Sequence, residues 1–209
     1  NITDDIDCVV FTSAIHKDNP EYVATMEKGI PHLTRAQLLG EIMQNYKTPI
    51  AISGTHGKTT TTYLVKHMLE DAGYKVGLIG TNQNLIGDEV IETERTTPES
   101  YELHALFARM RDAGCTHVIM EVSSHSLVLD RVHGIPFAVG AFTNLTQDHL
   151  DFHKTMEEYR KAKALLFSIS KKGVINLDDA AAEKMLADAK CPCMTFSCGK
   201  PEADLEATD

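Results

Sequence analysis

No apolar run in this sequence approaches the ~20 residues that a membrane-spanning helix needs. The longest, such as residues 9–11 and 134–142, are short. A charged-then-apolar opening is missing too, so no secretory signal is read. The five cysteines are odd in number and widely spaced, which argues against a disulfide framework. Cys191, Cys193 and Cys198 cluster without a C-x-x-C pair. Zinc is one reading of that cluster, and free or buried thiols are the plainer one. Basic residues are in deficit: 20 Lys and Arg stand against 30 Asp and Glu, a formal net charge of -10. Such a chain repels nucleic acid on average. Small anionic ligands are still admitted, because a local loop or a metal ion overrides the global field. The expectation is a soluble, cytoplasmic chain with no membrane and no nucleic-acid partner.

What is present is enough apolar matter for a core: 43% of 209 residues are hydrophobic. The length suits one ordinary domain and part of another. Residues 8–14 read as a short strand. Asn19, with Pro20 behind it, starts a helix that runs to about Lys28 and stops at Gly29. Thr34 is placed to cap a second helix over 35–44, with Leu38, Leu39, Ile42 and Met43 on one face. The boundary falls at residues 47–49.

Beyond it strands and helices alternate. Strands are expected at 50–53, 75–79, 116–122, 137–142 and 173–176. Helices are expected at 58–72, 98–112, 155–168 and 178–189, with a hairpin or loop around Gly87 and Asp88. Alternation of this kind predicts an α/β fold, a parallel sheet with helices on both faces. Residues 203–209 are mostly polar and offer no closing element, so the chain reads as part of a longer protein.

The strongest motif is Gly54-Thr55-His56-Gly57-Lys58-Thr59-Thr60, between a strand and a helix. Glycines let the backbone turn its N–H groups toward a phosphate. The helix start adds partial positive charge, Lys58 a mobile cation, and Thr59 a hydroxyl suited to Mg²⁺. The strict phosphate-loop pattern wants a glycine where Ile52 stands, so the loop is a shortened one, or else a glycine turn with an incidental lysine.

Three further segments carry chemistry. Thr96-Thr97-Pro98-Glu99-Ser100 reads as a helix start capped by Thr97, and it sets hydroxyls beside a helix N-terminus. Glu121-Val122-Ser123-Ser124-His125 ends an apolar strand, at the edge where parallel sheets hold ligands; Glu121 is placed to bind Mg²⁺ or simply to face water. Asp148, His149 and Asp151 crowd one loop, where His149 is either a metal ligand or structural. Residues 159–164, Tyr-Arg-Lys-Ala-Lys-Ala, read as the solvated side of a helix.

Together these segments resemble the Mur ligases, the ATP-dependent enzymes that build the peptide of cell-wall precursors. From about 8 to 62 the likeness is to the UDP-N-acetylmuramate–L-alanine ligases (MurC type), carried by FTSAIHKDNPE, GIPHLTRAQLLGEIM and GTHGKTTTT. From about 77 to 178 it is to the ligases that act on UDP-N-acetylmuramoyl-L-alanyl-D-glutamate (MurE type). GLIGT, IGDE, TTPES, MEVSSHSLVLDRV, FTNLTQDHLDFHKTMEEYRKAKALLF and VINLDD carry that part.

The resemblance implies that residues 1–47 are the C-terminal part of a Rossmann-like UDP-substrate domain. It implies that residues 48–209 are an incomplete, P-loop-type central ATP domain, and that a C-terminal amino-acid-selecting domain is absent. The implied reaction adds the third residue to a UDP-N-acetylmuramoyl-peptide through an acyl phosphate, using ATP and Mg²⁺. Gly54, Thr55, His56, Gly57, Lys58, Thr59 and Thr60 would hold ATP. Thr59, Glu121, His149 and Lys163 would bear on the metal, Lys163 as a lysine carbamylated by CO₂. Lys58, His149 and Lys163 would be catalytic. Thr96, Thr97, Ser123 and Arg131 would grip the substrate, and Arg131 suits an anion by its planar fork. Ser13 falls in a segment that lies near the uridine site in MurC-type enzymes, or is a strand-end serine. Two rival functions stand beside this one: a MurC-type ligase, and a nucleotide-binding fragment without synthesis.

Overall fold

The computed structural model describes residues 2–3, 5–11, 15–34, 48–132 and 134–207. The first stretch holds strand β1 (Val9–Phe11), helix α1 (Pro20–Glu27) and strand β2 (His32–Thr34), with β1 and β2 paired in parallel. Asn19 caps α1 by accepting from the Glu21 and Tyr22 backbone N–H groups, as its position before Pro20 predicts. Thr34 is the last residue of β2, and the helix it was expected to cap lies beyond the described residues. The expected helix over 35–44, Ser13 and the boundary at Lys47 lie outside the described residues.

From Thr48 onward the chain builds a nine-stranded sheet. Its members are β3 (Thr48–Ser53), β4 (Val76–Ile79), β5 (Asn84–Ile86), β6 (Glu89–Ile91), β7 (His117–Glu121), β8 (Phe137–Phe142), β9 (Ser170–Asn176), β10 (Cys193–Ser197) and β11 (Leu205–Glu206). They lie in the order β11-β10-β9-β8-β3-β7-β4-β5-β6. All pairs are parallel except β4–β5 and β5–β6, the hairpin that turns at Gly87.

Alternation along a strand sends neighbours to opposite faces. Ala51, Val118 and Met120 join the core under helix α3 (Ser100–Asp112), with Leu103, Phe107 and Met110. Ile52 and Ile119 meet Val65 and Leu69 of helix α2 (Lys58–Asp71). Both faces are therefore covered, as a parallel sheet requires.

Three local expectations are corrected. Helix α3 is capped by Glu99 and not by Thr97: the Glu99 backbone N–H donates to the Glu102 carboxylate at 3.0 Å, a capping box. Residues 203–209 do contain a closing element, since Leu205 and Glu206 add a parallel edge strand to β10. The 159–164 run is not a solvated face. On helix α6 (Met156–Ala164), Tyr159, Arg160, Ala162, Lys163 and Ala164 are all buried. Arg160 stays charged there because Glu157 takes its Nε and Nη2, and Asp188 its Nη1 at 2.7 Å. Strand β10 went unread because Pro192 and the neighbouring cysteines hide a short alternating segment.

Candidate functional site

The registers of the three central strands fix where chemistry can gather. Ile52 pairs with Glu121 of β7 and with Ala141 of β8, and Ser53 with Phe142. The loop after β3, the carboxylate ending β7 and the loop after β8 thus leave one sheet edge side by side. This is the carboxyl edge where open α/β sheets hold ligands.

The glycine-rich loop is stitched to the loop after β8. The Thr55 N–H donates to the Asn144 carbonyl at 2.9 Å, and the His56 N–H to Asn144 Oδ1 at 2.9 Å. Thr143 Oγ1 and Asn144 Nδ2 donate to the His56 carbonyl at 2.9 and 3.0 Å. The two loops approach so closely at Gly54 that a Cβ there would collide with the Thr143 hydroxyl. Gly57 sits at φ 79° as the cap of α2, a conformation that glycine adopts without strain. The first-turn N–H groups of α2 point out of the helix without helical acceptors, which makes an anion cradle. Lys58 folds back on the loop, its Nζ donating to the Gly54 and Thr55 carbonyls at 2.9 and 3.1 Å. Burial pushes its amine down, while Glu121 and Asp148 pull it back up.

Glu121 is fully buried without a cationic partner at hydrogen-bonding distance among the described residues. Short neutral donors hold it. Thr59 Oγ1 and the Thr81 N–H donate to Oε1 at 2.9 and 3.0 Å, and Thr81 Oγ1 donates to Oε2 at 2.8 Å. A buried carboxylate beside a threonine hydroxyl, at the mouth of a phosphate cradle, is a hard-oxygen donor set of the kind Mg²⁺ takes. Among the described residues no three His, Cys, Asp or Glu side chains converge. A Mg²⁺ ion here would complete its shell with phosphate and water oxygens, as it commonly does.

A second lysine approaches from α6. Lys163 is 2% exposed and, among the described residues, has neither an ion-pair nor a hydrogen-bond partner. Its Nζ lies 4.7 Å from the centre of the Tyr159 ring. Burial, with the charge of Lys58 added, pushes its amine down to about 7, and Asp148 only partly opposes this. The Tyr159 hydroxyl reaches Thr55 Oγ1 at 3.3 Å, which ties α6 to the glycine-rich loop. His149 stands in the left-handed region at φ 52°, nearly half exposed, with Asp148 Oδ2 at 3.4 Å from its Nε2. Its ring meets His125 edge-on at 5.0 Å and Tyr159 at 6.0 Å.

The Thr96–Thr97 segment adjoins this edge. Thr96 Oγ1 lies 3.0 Å from Thr81 Oγ1, within hydrogen-bonding distance. Thr97 is buried, its hydroxyl donating to the Glu121 carbonyl at 2.9 Å and accepting from the Ser123 N–H at 3.1 Å. That internal duty is why it does not cap α3. Ser123 caps helix α4 (Ser124–Val128) by accepting from the Ser126 N–H. Arg131 donates from Nη1 to the Thr97 carbonyl at 3.3 Å and pairs through Nη2 with Glu99 at 2.7 Å. Its Nε is buried with no acceptor among the described residues.

The structure thus brings the phosphate loop, Glu121, Thr96 and Thr97 to one edge, with Lys163 and His149 joined to it through Tyr159. Reading the sequence missed Thr81, Thr143, Asn144 and Tyr159 as site residues. All four lay inside segments already singled out, yet each works through a contact distant in sequence.

Comparison with known proteins agrees with this geometry. The family description "Mur ligase middle domain" matches residues 52–209, and "Mur ligase family, catalytic domain" matches residues 1–47. The UDP-N-acetylmuramoyl-L-alanyl-D-glutamate–2,6-diaminopimelate ligase 1 of Clostridium acetobutylicum is 58% identical over 158 residues, 76% of this chain and 33% of that protein. The ligase of the same name from Clostridium tetani is 54% identical, covering 76% of this chain and 32% of that one. The chain therefore spans about a third of the length of these curated relatives. A solved structure of a 2,6-diaminopimelate ligase of this kind superposes with a TM-score of 0.75 at 25% identity, over 97% of this chain and 48% of that one. E. coli FolC in complex with DHPP and ADP shares the fold alone, with a TM-score of 0.61 at 18% identity over 80% of this chain and 48% of that one. With a family match over most of its length, the chain belongs to the Mur ligase family.

Proposed function

We propose that this chain carries the ATP-binding centre of a ligase that adds the third amino acid, 2,6-diaminopimelate, to UDP-N-acetylmuramoyl-L-alanyl-D-glutamate. The observation that carries the reading is the Thr59 hydroxyl on the buried Glu121 carboxylate, 2.9 Å apart beside the glycine-rich loop. The names of relatives 53–58% identical support the substrate and the amino acid. On this reading residues 48–209 belong to the central domain, and residues 1–47 to the domain that binds the UDP end of the substrate.

The task is to bring a substrate carboxylate onto the γ-phosphate of ATP, two anions that repel. The backbone of residues 54–60 cradles the phosphates. Lys58 leaves the Gly54 and Thr55 carbonyls to meet them, which exchanges two neutral acceptors for charged ones. Thr59, Glu121 and His149 would hold Mg²⁺, which would supply positive charge to offset the phosphates. Thr96, Ser123 and Arg131 grip the muramoyl-peptide. The unpartnered Arg131 Nε awaits an anionic oxygen, and Thr97 sets the spacing of the segment from beneath.

Lys163 is the CO₂ acceptor. An amine must be unprotonated to attack CO₂, and one held near 7 is substantially so at neutral pH. Its unprotonated nitrogen bonds to the carbon of CO₂ and releases one N–H proton, which turns a buried neutral amine into a carboxylate-like anion that could face Mg²⁺. ATP binding is the direct test. The chain should bind ATP with Mg²⁺ far more tightly than without it, and UDP-N-acetylmuramoyl-dipeptide should raise its melting temperature more than UDP-N-acetylmuramate does. Metal-independent binding would remove Glu121 and Thr59 from the account. Protection by UDP-N-acetylmuramate instead would make this a first-residue ligase.

A further inference from the structure

Between the segment assigned to the muramoyl-peptide and the glycine-rich loop runs a column of buried side chains that the chemistry above leaves without a role. It begins at Ser124, 2% exposed, the residue after Ser123 and the first of α4. Ser124 Oγ lies 2.8 Å from Nε2 of His153, which is 5% exposed and ends the short helix α5 (Leu150–His153). The His153 ring stacks on Tyr159, with centres 4.9 Å apart and planes 22° from parallel. Tyr159 is 1% exposed, and its hydroxyl ends the column on Thr55 Oγ1 at 3.3 Å. Thr55 in turn accepts from the Thr146 N–H at 3.0 Å, which fixes the loop after β8 to the same point. Three chain segments far apart in sequence, around residues 55, 124 and 153–159, meet in this line, and each link is a hydrogen bond or a ring contact away from water.

A buried histidine needs a use for its ring nitrogens, or it costs stability. His153 spends Nε2 on Ser124 and its face on Tyr159, so its position follows both. A displacement of α4 reaches Thr55 through two directional contacts and little slack, because packed interiors shift between discrete arrangements and do not deform smoothly.

We propose that His153 is a positioning residue. Through Ser124 and Tyr159 it couples the segment from Ser123 to Arg131 to the placement of Thr55 in the phosphate loop. The proposal rests on the reading of that loop as the ATP site. It predicts that the far end of the column, some 70 residues away in sequence from Thr55, tunes nucleotide binding.

Equilibrium binding of ATP·Mg²⁺ to the whole chain tests it, with Ser124→Ala in two backgrounds. In the wild-type background the substitution should weaken ATP binding about fivefold, the size of an ordinary coupling energy. In the Tyr159→Phe background, where the link to Thr55 is already cut, it should change binding less than twofold. Equal weakening in both backgrounds, or none in either, overturns the proposal, since coupling and not proximity is the claim. If Ser124→Ala lowers the folded fraction by thermal melt, His153→Phe replaces it; that variant keeps a ring on Tyr159 and loses only the Ser124 bond. The same two-background comparison then decides. A wild-type chain that binds no ATP at all would instead remove the reading on which the proposal stands.

Discussion

Lys58 and Lys163 approach one site from opposite kinds of structure. Lys58 is held by its own loop, its ammonium on two carbonyls three and four residues back. Lys163 is held by distant packing: a buried ring, a dry surrounding and no hydrogen-bond or ion-pair partner among the described residues. Both amines are lowered by burial. Glu121 and Asp148 offset that at Lys58, whereas at Lys163 the charge of Lys58 adds to it. On the proposed function, the difference would separate two tasks. A lysine that binds phosphate must stay charged, and a lysine that takes up CO₂ must be able to lose its proton.

The largest expected effect breaks this contrast from the Lys163 side. In CO₂-free buffer, burying an amine held near 7 costs stability. Its value in the unfolded chain, near 10.5, lies higher, so between about 7 and 10.5 the unfolded state binds more protons and stability rises with pH. Lys163→Met should therefore stabilise the chain by on the order of 3 kcal/mol at pH 7, with the gain fading toward pH ~10.5, as read by urea unfolding across that range. A gain independent of pH would place the effect in packing alone.

From the Lys58 side, Lys58→Ala should weaken ATP·Mg²⁺ binding on the order of 100-fold, about 2.7 kcal/mol, and leave the melting temperature of the nucleotide-free chain within a few degrees. The helix that carries Lys163 has its own anchor. Arg160→Ala should destabilise the chain, as read by urea unfolding, because it leaves Glu157 and Asp188 without their shared cation. Arg160 holds the Glu157 carboxyl down at about 2, from about 4.5, so that stabilisation is present above pH ~4.5 and disappears as the pH falls toward ~2. The acid limb of the unfolding profile should be shallower in the variant. The smallest effect sharpens the phosphate side: a Cβ at Gly80 would stand 2.6 Å from Glu121 Oε1. Gly80→Ala should shift that carboxylate and weaken Mg²⁺-dependent ATP binding by roughly fivefold, with metal-free binding unchanged.

The same contrast explains what could be read from the sequence. The phosphate loop was legible because its contacts are local: a glycine turn, a lysine and a threonine between a strand and a helix specify the cradle by themselves. Glu121 was legible as the polar end of an apolar strand. The alternation of elements likewise gave the parallel sheet and its two covered faces. Lys163 was not legible from pattern, since Tyr-Arg-Lys-Ala-Lys-Ala has the composition of a solvated helix. What buries it comes from elsewhere: Asp188 neutralises Arg160, His153 covers Tyr159, and Thr55 receives the phenol. Only the likeness of that segment to a family pointed to the lysine. Thr97 failed as a predicted cap for a related reason, because Glu121 and Ser123, both more than twenty residues away, claim its hydroxyl.

The central claim is that burial prepares Lys163 for CO₂ while Lys58 stays a cation. Carbon-13 NMR of the chain in ¹³C-bicarbonate tests it most directly, near pH 8, with wild type compared with Lys163→Arg and Lys58→Arg. One carbamate resonance in the wild type, kept in Lys58→Arg and lost in Lys163→Arg, is the predicted result. A carbamate signal that survives Lys163→Arg, or none in the wild type, would contradict the account.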